Sequence, residues 1–252
     1  DLFVIVSDGC SSAPDTDFGS RFLSRAGAEF IMRDMTGEAF ARSAITTAYA
    51  CSRAGGLHPD CLQATLLAAA KRHDFVINYV CGDGVVVGRE RASGRLAVKS
   101  YEFPSGAPFY LRYTLDPSRV TAYEDQFSAR CVVTTTYIEP TGARSAPETV
   151  EYTDLDDILC FSNFWPMKQY DLVVLLSDGV RSFVKPVDSK TSKQTESVDY
   201  LDVVSELMRF KNYGGGFVQR RVRRAFDPVL GKFAQAGWVN VDDLSMAAIH
   251  VE

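Results

Sequence analysis

Four acidic segments of this 252-residue chain stand at the boundaries of apolar runs. Two nearly repeat each other, since Asp8 and Asp178 each follow a run rich in Val, Leu and Ile and end in Ser-Asp-Gly. The third is Asp83 in Cys-Gly-Asp-Gly, and the fourth is the pair Asp242-Asp243 before the last apolar run. A charge beside a buried strand is costly unless it is paired or bound to metal, and Mg²⁺ and Mn²⁺ prefer carboxylate oxygens. One Asp-Gly pair alone is typical of a simple turn. Four strand-end acids together favour a divalent-metal site.

The spacing of apolar residues predicts the strands and helices that hold these acids. Asp1–Val6 is predicted to be a buried strand, followed by a polar loop over Ser7–Ser20. Helical spacing begins at Arg21, and a second helix is predicted through Phe40–Ala48. These features place Asp8 in a loop between a strand and a helix.

The middle of the chain reads mainly as strands. Leu62–Ala70 is ambiguous between helix and strand. Three strands over residues 74–80, 85–90 and 96–102 are predicted to form an antiparallel meander, with Gly82-Asp83-Gly84 as one of its turns. The path of residues 104–165 is left unassigned.

The last third mixes strands and helices. A buried strand precedes Asp178, a surface loop is predicted over residues 187–197, and a final strand over Leu244–Val251. Helices are predicted over Tyr200–Phe210 and Gly216–Phe226. The chain shows no repeat and no low-complexity linker, so a single domain over residues 1–252 is expected.

Composition limits the classes of partner. A net charge of −5 gives no general attraction to nucleic acid or to an anionic membrane, and no apolar run is long enough to span a bilayer. The six cysteines show no zinc spacing and suit a reducing cytoplasm. The three histidines also lack metal-ligand spacing. Because the chain starts with Asp1 directly on a strand, residues upstream are expected to be missing from it.

The ordered set Val-Ser-Asp-Gly, Gly-Asp, Leu-Ser-Asp-Gly and Asp-Asp-x-Ser resembles the protein phosphatase 2C family of metal-dependent Ser/Thr phosphatases. The first loop, Asp-Gly-Cys-Ser-Ser followed by Gly and Arg, is most similar to the divergent bacterial branch, and Gln-Ala-Thr-Leu-Leu-Ala-Ala is similar to another family segment. The resemblance implies an α+β fold with two packed antiparallel β-sheets flanked by helices, an αββα sandwich. It also implies a single phosphatase-like domain that lacks its first N-terminal strand or hairpin.

The resemblance assigns roles by motif. Asp8 would bridge two metal ions, and the Gly9 carbonyl would help to hold one of them. Asp178 and Asp242 would complete the ligands of the other ion, while Asp83 would support a metal-bound water or a third, weaker ion. The implied cofactors are Mg²⁺ or Mn²⁺, with two ions expected and a third allowed. Asp8, Asp178 and Asp242 would therefore act catalytically through bound metals and water.

Two positions depart from the family pattern. Cys10 stands where many eukaryotic relatives carry a histidine that is a candidate general acid, so the leaving group would take its proton from water or another group. Asp243 stands where Asn is usual, which adds a negative charge and makes Asp243 a further candidate metal ligand.

The function implied is that of a cytoplasmic bacterial phosphoprotein Ser/Thr phosphatase, monomeric, that hydrolyses phosphomonoesters by attack of a metal-bridging hydroxide. Its expected partners are a phosphorylated protein substrate and a cognate Ser/Thr kinase. One alternative is a catalytically weak phosphoprotein-binding or regulatory module on the same fold, and another is a phosphatase of small metabolites. The basic run Arg220–Arg224 is interpreted as a solvated helix face, with docking of a phosphorylated partner as the alternative.

Overall fold

A computed structural model describes residues 2–187 and 195–252, and the chain divides into two compact units. The first unit comprises Asp1–Leu175 and Ala247–Glu252, and the second comprises Leu176–Met246. The single domain expected over residues 1–252 stays a prediction.

Runs of strands are interspersed with helices along the chain. In order they are β1 (Phe3–Val6), α1 (Thr16–Phe30), α2 (Gly37–Ala54), β2 (Leu66–Arg72), β3 (Phe75–Cys81), β4 (Gly84–Glu90), β5 (Leu96–Glu102), α3 (Pro117–Phe127), β6 (Cys131–Ile138), β7 (Glu148–Tyr152), α4 (Leu155–Leu159), β8 (Phe161–Pro166), β9 (Tyr170–Leu176), β10 (Phe183–Pro186), β11 (Thr195–Ser197), α5 (Tyr200–Leu207), α6 (Phe217–Ala225), α7 (Lys232–Ala236), β12 (Val239–Asn240) and β13 (Met246–His250). Short 3-10 helices cover Pro59–Leu62, Leu111–Leu115 and Asp178–Arg181.

The first unit is built on two sheets. One has the order β1-β2-β3-β8, and its neighbouring strands are antiparallel. The other has the order β13-β9-β4-β5-β6-β7, with antiparallel pairing from β4 through β7. Central strands such as β4 are apolar on both faces because both faces are covered, which explains their continuous apolar sequences.

Asn163 on β8 joins the two sheets across the core of the first unit. Its side-chain amide donates to the Tyr101 hydroxyl at 2.7 Å and its oxygen accepts from the Lys99 ammonium at 2.8 Å, and both partners lie on β5. Helix α2 packs on β3 of the first sheet, where Phe40 stacks on Tyr79 with ring centroids 4.7 Å apart. The predicted α+β class, with packed antiparallel sheets and flanking helices, is confirmed.

Several local predictions need correction. Helix α1 begins at Thr16, five residues before the predicted start, because Asp15 adopts a left-handed conformation (φ 54°) that turns the chain into the helix. The ambiguous Leu62–Ala70 segment contains strand β2. The predicted meander is wrong at Gly82-Asp83-Gly84, since β3 and β4 belong to different sheets. Positive φ angles of 92° and 142° at the two glycines allow the chain to pass from one sheet to the other.

The second unit has a small sheet in the order β11-β10-β12 and helices α5, α6 and α7. Its aromatic cluster centres on Phe233, whose ring lies 4.8 Å from Phe183 and 4.9 Å from Phe226. Helices α5 and α6 confirm the two helices predicted there. Of the surface loop predicted over 187–197, residues 188–194 lie outside the described residues, and Thr195–Ser197 form β11 instead.

Among residues 2–187 and 195–252, the helices are all too short or too polar to cross a bilayer.

Candidate metal site

Asp8 lies in a loop that stays hydrogen-bonded to the chain before β2. The Asp8 amide donates to the Thr65 hydroxyl at 3.1 Å, and the Thr65 amide donates to the Asp8 carbonyl at 2.8 Å. Ser7 donates its hydroxyl to the Thr65 carbonyl at 2.6 Å, and Gly9 forms an isolated bridge with Ala64. These bonds extend the β1–β2 pairing past the end of β1. Asp8 and Gly9 are therefore held as rigidly as strand residues.

Thr65 also contacts the loop that carries Asp83. A β-carbon added at Gly82 would lie 3.1 Å from the Thr65 methyl carbon, so the Gly82-Asp83-Gly84 crossing runs directly over Thr65. One side chain thus supports both acidic loops of the first unit. No role for Thr65 was predicted from the sequence, although the Gln-Ala-Thr-Leu-Leu segment that contains it is similar to a segment of the family. The signal that could have identified Thr65 is a polar residue directly before an apolar strand.

Cys10 and Tyr110 lie beside the same loops. The Cys10 sulfur is 3.1 Å from the Ser12 hydroxyl oxygen. Burial would raise the pKa of the Cys10 thiol, but hydrogen bonds from Ser12, Tyr110 and the Ala13 amide together lower it below its ordinary value. Burial raises the pKa of the Tyr110 hydroxyl, and negative charge on Cys10 and Asp83 adds to that increase. The tyrosine hydroxyl therefore stays protonated near these acids.

In the second unit, hydrogen bonds of Ser177 connect the loop after β9 to the segment before β13. The Ser177 amide donates to the Ser245 carbonyl at 3.0 Å, and the Ser245 amide donates to the Ser177 hydroxyl at 3.0 Å. The Ser177 hydroxyl in turn donates to the Asp243 carbonyl at 3.4 Å. Gly179 completes the fit, because a β-carbon there would lie 1.9 Å from that same carbonyl oxygen. The Asp178 loop and the Asp242-Asp243 segment are thus packed backbone against backbone.

This packing brings the carboxylates of Asp178 and Asp242 close enough to interact. Burial raises the pKa of Asp178, and the negative charge of Asp242 raises it further, against a smaller lowering by Arg181. Asp242 and Asp243 are exposed, and Asp242 accepts the Asp243 amide at 2.8 Å. A half-buried carboxylate beside a second carboxylate is stabilised by a cation.

The chemistry of each acidic loop suits a hard divalent ion, since its acids offer only oxygen ligands on a short, hydrogen-bonded segment. Asp8, Gly9 and Asp83 belong to the first unit, whereas Asp178, Asp242 and Asp243 belong to the second. Within the part of the chain that the structure describes, no group of three or more His, Cys, Asp or Glu side chains is close enough to hold a metal ion. The set of five acids and the Gly9 carbonyl therefore stays a prediction.

The residues set aside by the sequence analysis occupy structural positions. His58 caps the 3-10 helix Pro59–Leu62 by accepting the Asp60 amide at 3.2 Å, and His250 lies on β13. The basic run Arg220–Arg224 lies on α6, in the second unit.

Comparison with known proteins adds a family and a fold. A family model described as "Protein phosphatase 2C" matches residues 1–215. The crystal structure of a bacterial serine phosphatase is 10% identical, with a TM-score of 0.51, and the match covers 99% of this chain and 86% of that one. The Mycobacterium tuberculosis serine/threonine phosphatase PstP/Ppp is 14% identical over 99% of this chain and 88% of its own, with a TM-score of 0.49. The Staphylococcus aureus serine/threonine phosphatase Stp1 is 12% identical over 99% of this chain and 84% of its own, with a TM-score of 0.47. No curated protein matches the sequence.

Proposed function

The chain belongs to the protein phosphatase 2C family, and from this we propose that it is a Mg²⁺- or Mn²⁺-dependent hydrolase of phosphoserine and phosphothreonine in proteins. The observation that carries the proposal is the backbone packing of the Asp178 loop against the Asp242-Asp243 segment, which is held by the hydrogen bonds of Ser177 and by the close approach at Gly179. Asp242 lies beyond residues 1–215, which match the family model, so this packing supports the proposal independently of that match.

We assign the metal ligands by motif. Asp8 and the Gly9 carbonyl lie on the loop after β1, Asp178 lies after β9, and Asp242 lies on the segment before β13. Asp83 and Asp243 act as further ligands or hold water next to the ions. When bound, two divalent ions would lower the pKa of a coordinated water and offset negative charge on the phosphoryl oxygens. A third, weaker ion at Asp83 is part of the proposal.

The chain's own residues serve mainly to orient these ligands. Thr65 fixes the backbone of Asp8 and supports the Asp83 loop, while Ser177 and Gly179 fix the Asp243 backbone. Carboxylates held by backbone hydrogen bonds need little reorganisation when a cation binds, which favours catalysis by positioning.

The serine hydroxyls at the two Ser-Asp-Gly motifs are unsuited to attack phosphorus. Ser7 donates to the Thr65 carbonyl, and Ser177 is fully buried and donates to the Asp243 carbonyl. Both hydroxyl groups are occupied in loop structure. This arrangement supports water as the nucleophile and an in-line displacement without a phosphoenzyme.

We base the substrate class on the family and on the similarity to a bacterial serine phosphatase. We therefore propose a phosphorylated bacterial protein as substrate and a cognate Ser/Thr kinase that supplies it. The six cysteines are all free thiols, which supports a reducing, cytoplasmic compartment.

A second candidate is a phosphoprotein-binding module on the same fold. It is favoured by Cys10, whose sulfur is engaged with Ser12 at the position where many relatives carry a candidate general acid. The two candidates differ in turnover, because a binding module would retain the phosphopeptide unchanged.

Release of inorganic phosphate from a phosphothreonine peptide tests the proposal, with Mn²⁺ present or removed by EDTA. We expect release only with Mn²⁺, and slower release from small phosphorylated metabolites at equal concentration. Binding of the peptide without any release would support the second candidate. Faster release from the metabolites would move the substrate class to small molecules.

A further inference from the structure

Helix α6 carries three exposed arginines on one side. Arg220, Arg223 and Arg224 are spaced three and four residues apart, so their side chains are neighbours on the helix surface. The remaining arginine, Arg221, points inward and forms an ion pair with Glu206 on α5. The helix is thereby anchored, while the three other guanidinium groups face solvent.

The charges on this face lack acidic partners. Arg220 donates to the Asn212 side-chain oxygen at 2.7 Å and to the Gly214 carbonyl, which orient its guanidinium but do not neutralise it. Among the described residues, Arg223 and Arg224 form no ion pair or hydrogen bond. Like charges at these spacings repel. The negative end of the helix dipole stabilises the charges of Arg223 and Arg224 in the last turn, but it does not account for the charge of Arg220.

The three arginines line an open groove of about 370 Å³ together with Asp227 and Leu230. The Asp227 carboxylate accepts the Val229 and Leu230 amides at 2.9 and 2.7 Å, so it serves its own turn. Leu230 is 77% exposed. The groove therefore presents three guanidinium groups, one carboxylate and the exposed apolar side chain of Leu230.

We propose that this groove, formed by Arg220, Arg223 and Arg224, binds the phosphoryl group of a phosphorylated protein segment. Guanidinium groups bind phosphate oxygens in a bidentate manner, and an apolar neighbour of the phosphorylated residue can contact Leu230. A single phosphoryl group suits a groove of this size. A long polyanion suits it less, because the chain as a whole carries a net charge of −5.

The groove is a docking site and not a part of the metal site, since none of the six candidate metal ligands lines it. This assignment deepens the proposed function, on which its biological meaning rests: a substrate protein with two phosphorylated sites would be held at one of them. The same surface would also serve the binding-module alternative.

Fluorescence anisotropy with a labelled 12-residue phosphothreonine peptide tests the assignment, with EDTA present so that no hydrolysis occurs. The unphosphorylated peptide and a labelled 12-nucleotide single-stranded DNA serve as comparison ligands. The test variant is Arg223→Gln with Arg224→Gln, and its matched control is Arg25→Gln with Arg53→Gln, which removes two exposed arginines from α1 and α2.

We expect the wild-type protein to bind the phosphorylated peptide at least tenfold more tightly than the unphosphorylated one. The α6 double variant should lose about tenfold or more in affinity, and the control double variant less than about twofold. Arg223→Lys with Arg224→Lys should lose part of that affinity, because lysine keeps the charge but not the bidentate fork.

Equal affinity of the wild-type and α6 variant proteins for the phosphopeptide would overturn the assignment. Tighter binding of the DNA, lost in the same variant, would also overturn it in favour of a general polyanion site. Hydrolysis of p-nitrophenyl phosphate separates the two proposals: it should be unchanged in the α6 variant. Docking without any hydrolysis would contradict only the proposed enzyme, and hydrolysis without docking would contradict only the groove.

Discussion

Replacement of Gly179 by alanine tests how closely the Asp178 loop is fitted to the segment of Asp242 and Asp243. A β-carbon at position 179 would lie 1.9 Å from the Asp243 carbonyl oxygen and 2.7 Å from its carbonyl carbon. Both atoms belong to the backbone, which has no rotamer to relieve the clash. The Asp243 segment must therefore move by about 1.1 Å to restore a tolerable separation of 3.0 Å.

The loss in free energy of unfolding follows from the contacts that this movement disturbs. Overpacking of a buried backbone contact costs about 1–3 kcal/mol. The hydrogen bonds of Ser177 with the Asp243 carbonyl and the Ser245 amide would also weaken, at about 1 kcal/mol each. We expect Gly179→Ala to lower the free energy of unfolding by about 3–5 kcal/mol. Because Asp242 moves with the segment, the Mn²⁺ concentration for half-maximal hydrolysis should rise by about tenfold or more.

Urea denaturation and a Mn²⁺ titration of activity measure the two effects. Gly214→Ala is the matched control in the same unit, since a β-carbon there meets nothing within 4 Å, and its stability should stay within about 0.5 kcal/mol of the wild type. If Gly179→Ala were as stable as Gly214→Ala and bound Mn²⁺ as well, the backbone packing described for the Asp178 loop would be wrong.

Three further predictions address other parts of the first unit. Thr65→Val removes the hydroxyl that accepts the Asp8 amide while keeping the shape of the side chain. Mn²⁺-dependent kcat should fall about tenfold in steady-state assays, and the free energy of unfolding should fall by about 1 kcal/mol. Unchanged kcat would exclude a positioning role for Thr65. Asn163→Leu removes the polar link between the two sheets and should lower the free energy of unfolding in urea by about 2–3 kcal/mol, whereas a neutral effect would show that the link adds no stability. The hydrogen bond from Arg95 lowers the pKa of Glu90 below its ordinary 4.5, so the ionised carboxylate stabilises the fold at neutral pH and this contribution is lost as the pH falls below 4.5. Glu90→Gln should thus be less stable than the wild type at pH 7, with the difference shrinking toward pH 3, and a constant difference would contradict the assigned ion pair.

The acidic loops could be predicted because their signal is local. An apolar run that ends in Ser-Asp-Gly marks both a strand and a tight loop, and the structure has both features at Asp8 and Asp178. The strand before Asp178 is buried as predicted, whereas the burial predicted for Asp1–Val6 is wrong, because β1 lies at the edge of its sheet and Phe3 is exposed. The fold class followed from the order of such motifs and from the family resemblance. Which acids share one ion depends on how distant segments come together, and local sequence patterns do not contain that information.

The predictions from the sequence were wrong where one local sequence pattern is compatible with two different structures. Gly82-Asp83-Gly84 between two apolar runs is typical of a hairpin, yet here it connects different sheets, because periodicity reports that a strand is buried but not which strand lies beside it. The early start of α1 depends on the left-handed backbone at Asp15, which has no side-chain cap and so leaves no capping signal. Thr65 was missed because its importance comes from a partner 57 residues away.

Hydrolysis of p-nitrophenyl phosphate across a Mn²⁺ titration tests the central claim most directly, with the wild type, Asp178→Asn and Asp125→Asn compared side by side. Asp125 is an exposed acid on α3, so its variant controls for the loss of one negative charge. We predict Mn²⁺-dependent turnover in the wild type and in Asp125→Asn, and a loss of about a hundredfold or more in Asp178→Asn although it remains folded. Equal turnover in all three folded proteins, or turnover that persists in EDTA, would contradict a metal site built on Asp178.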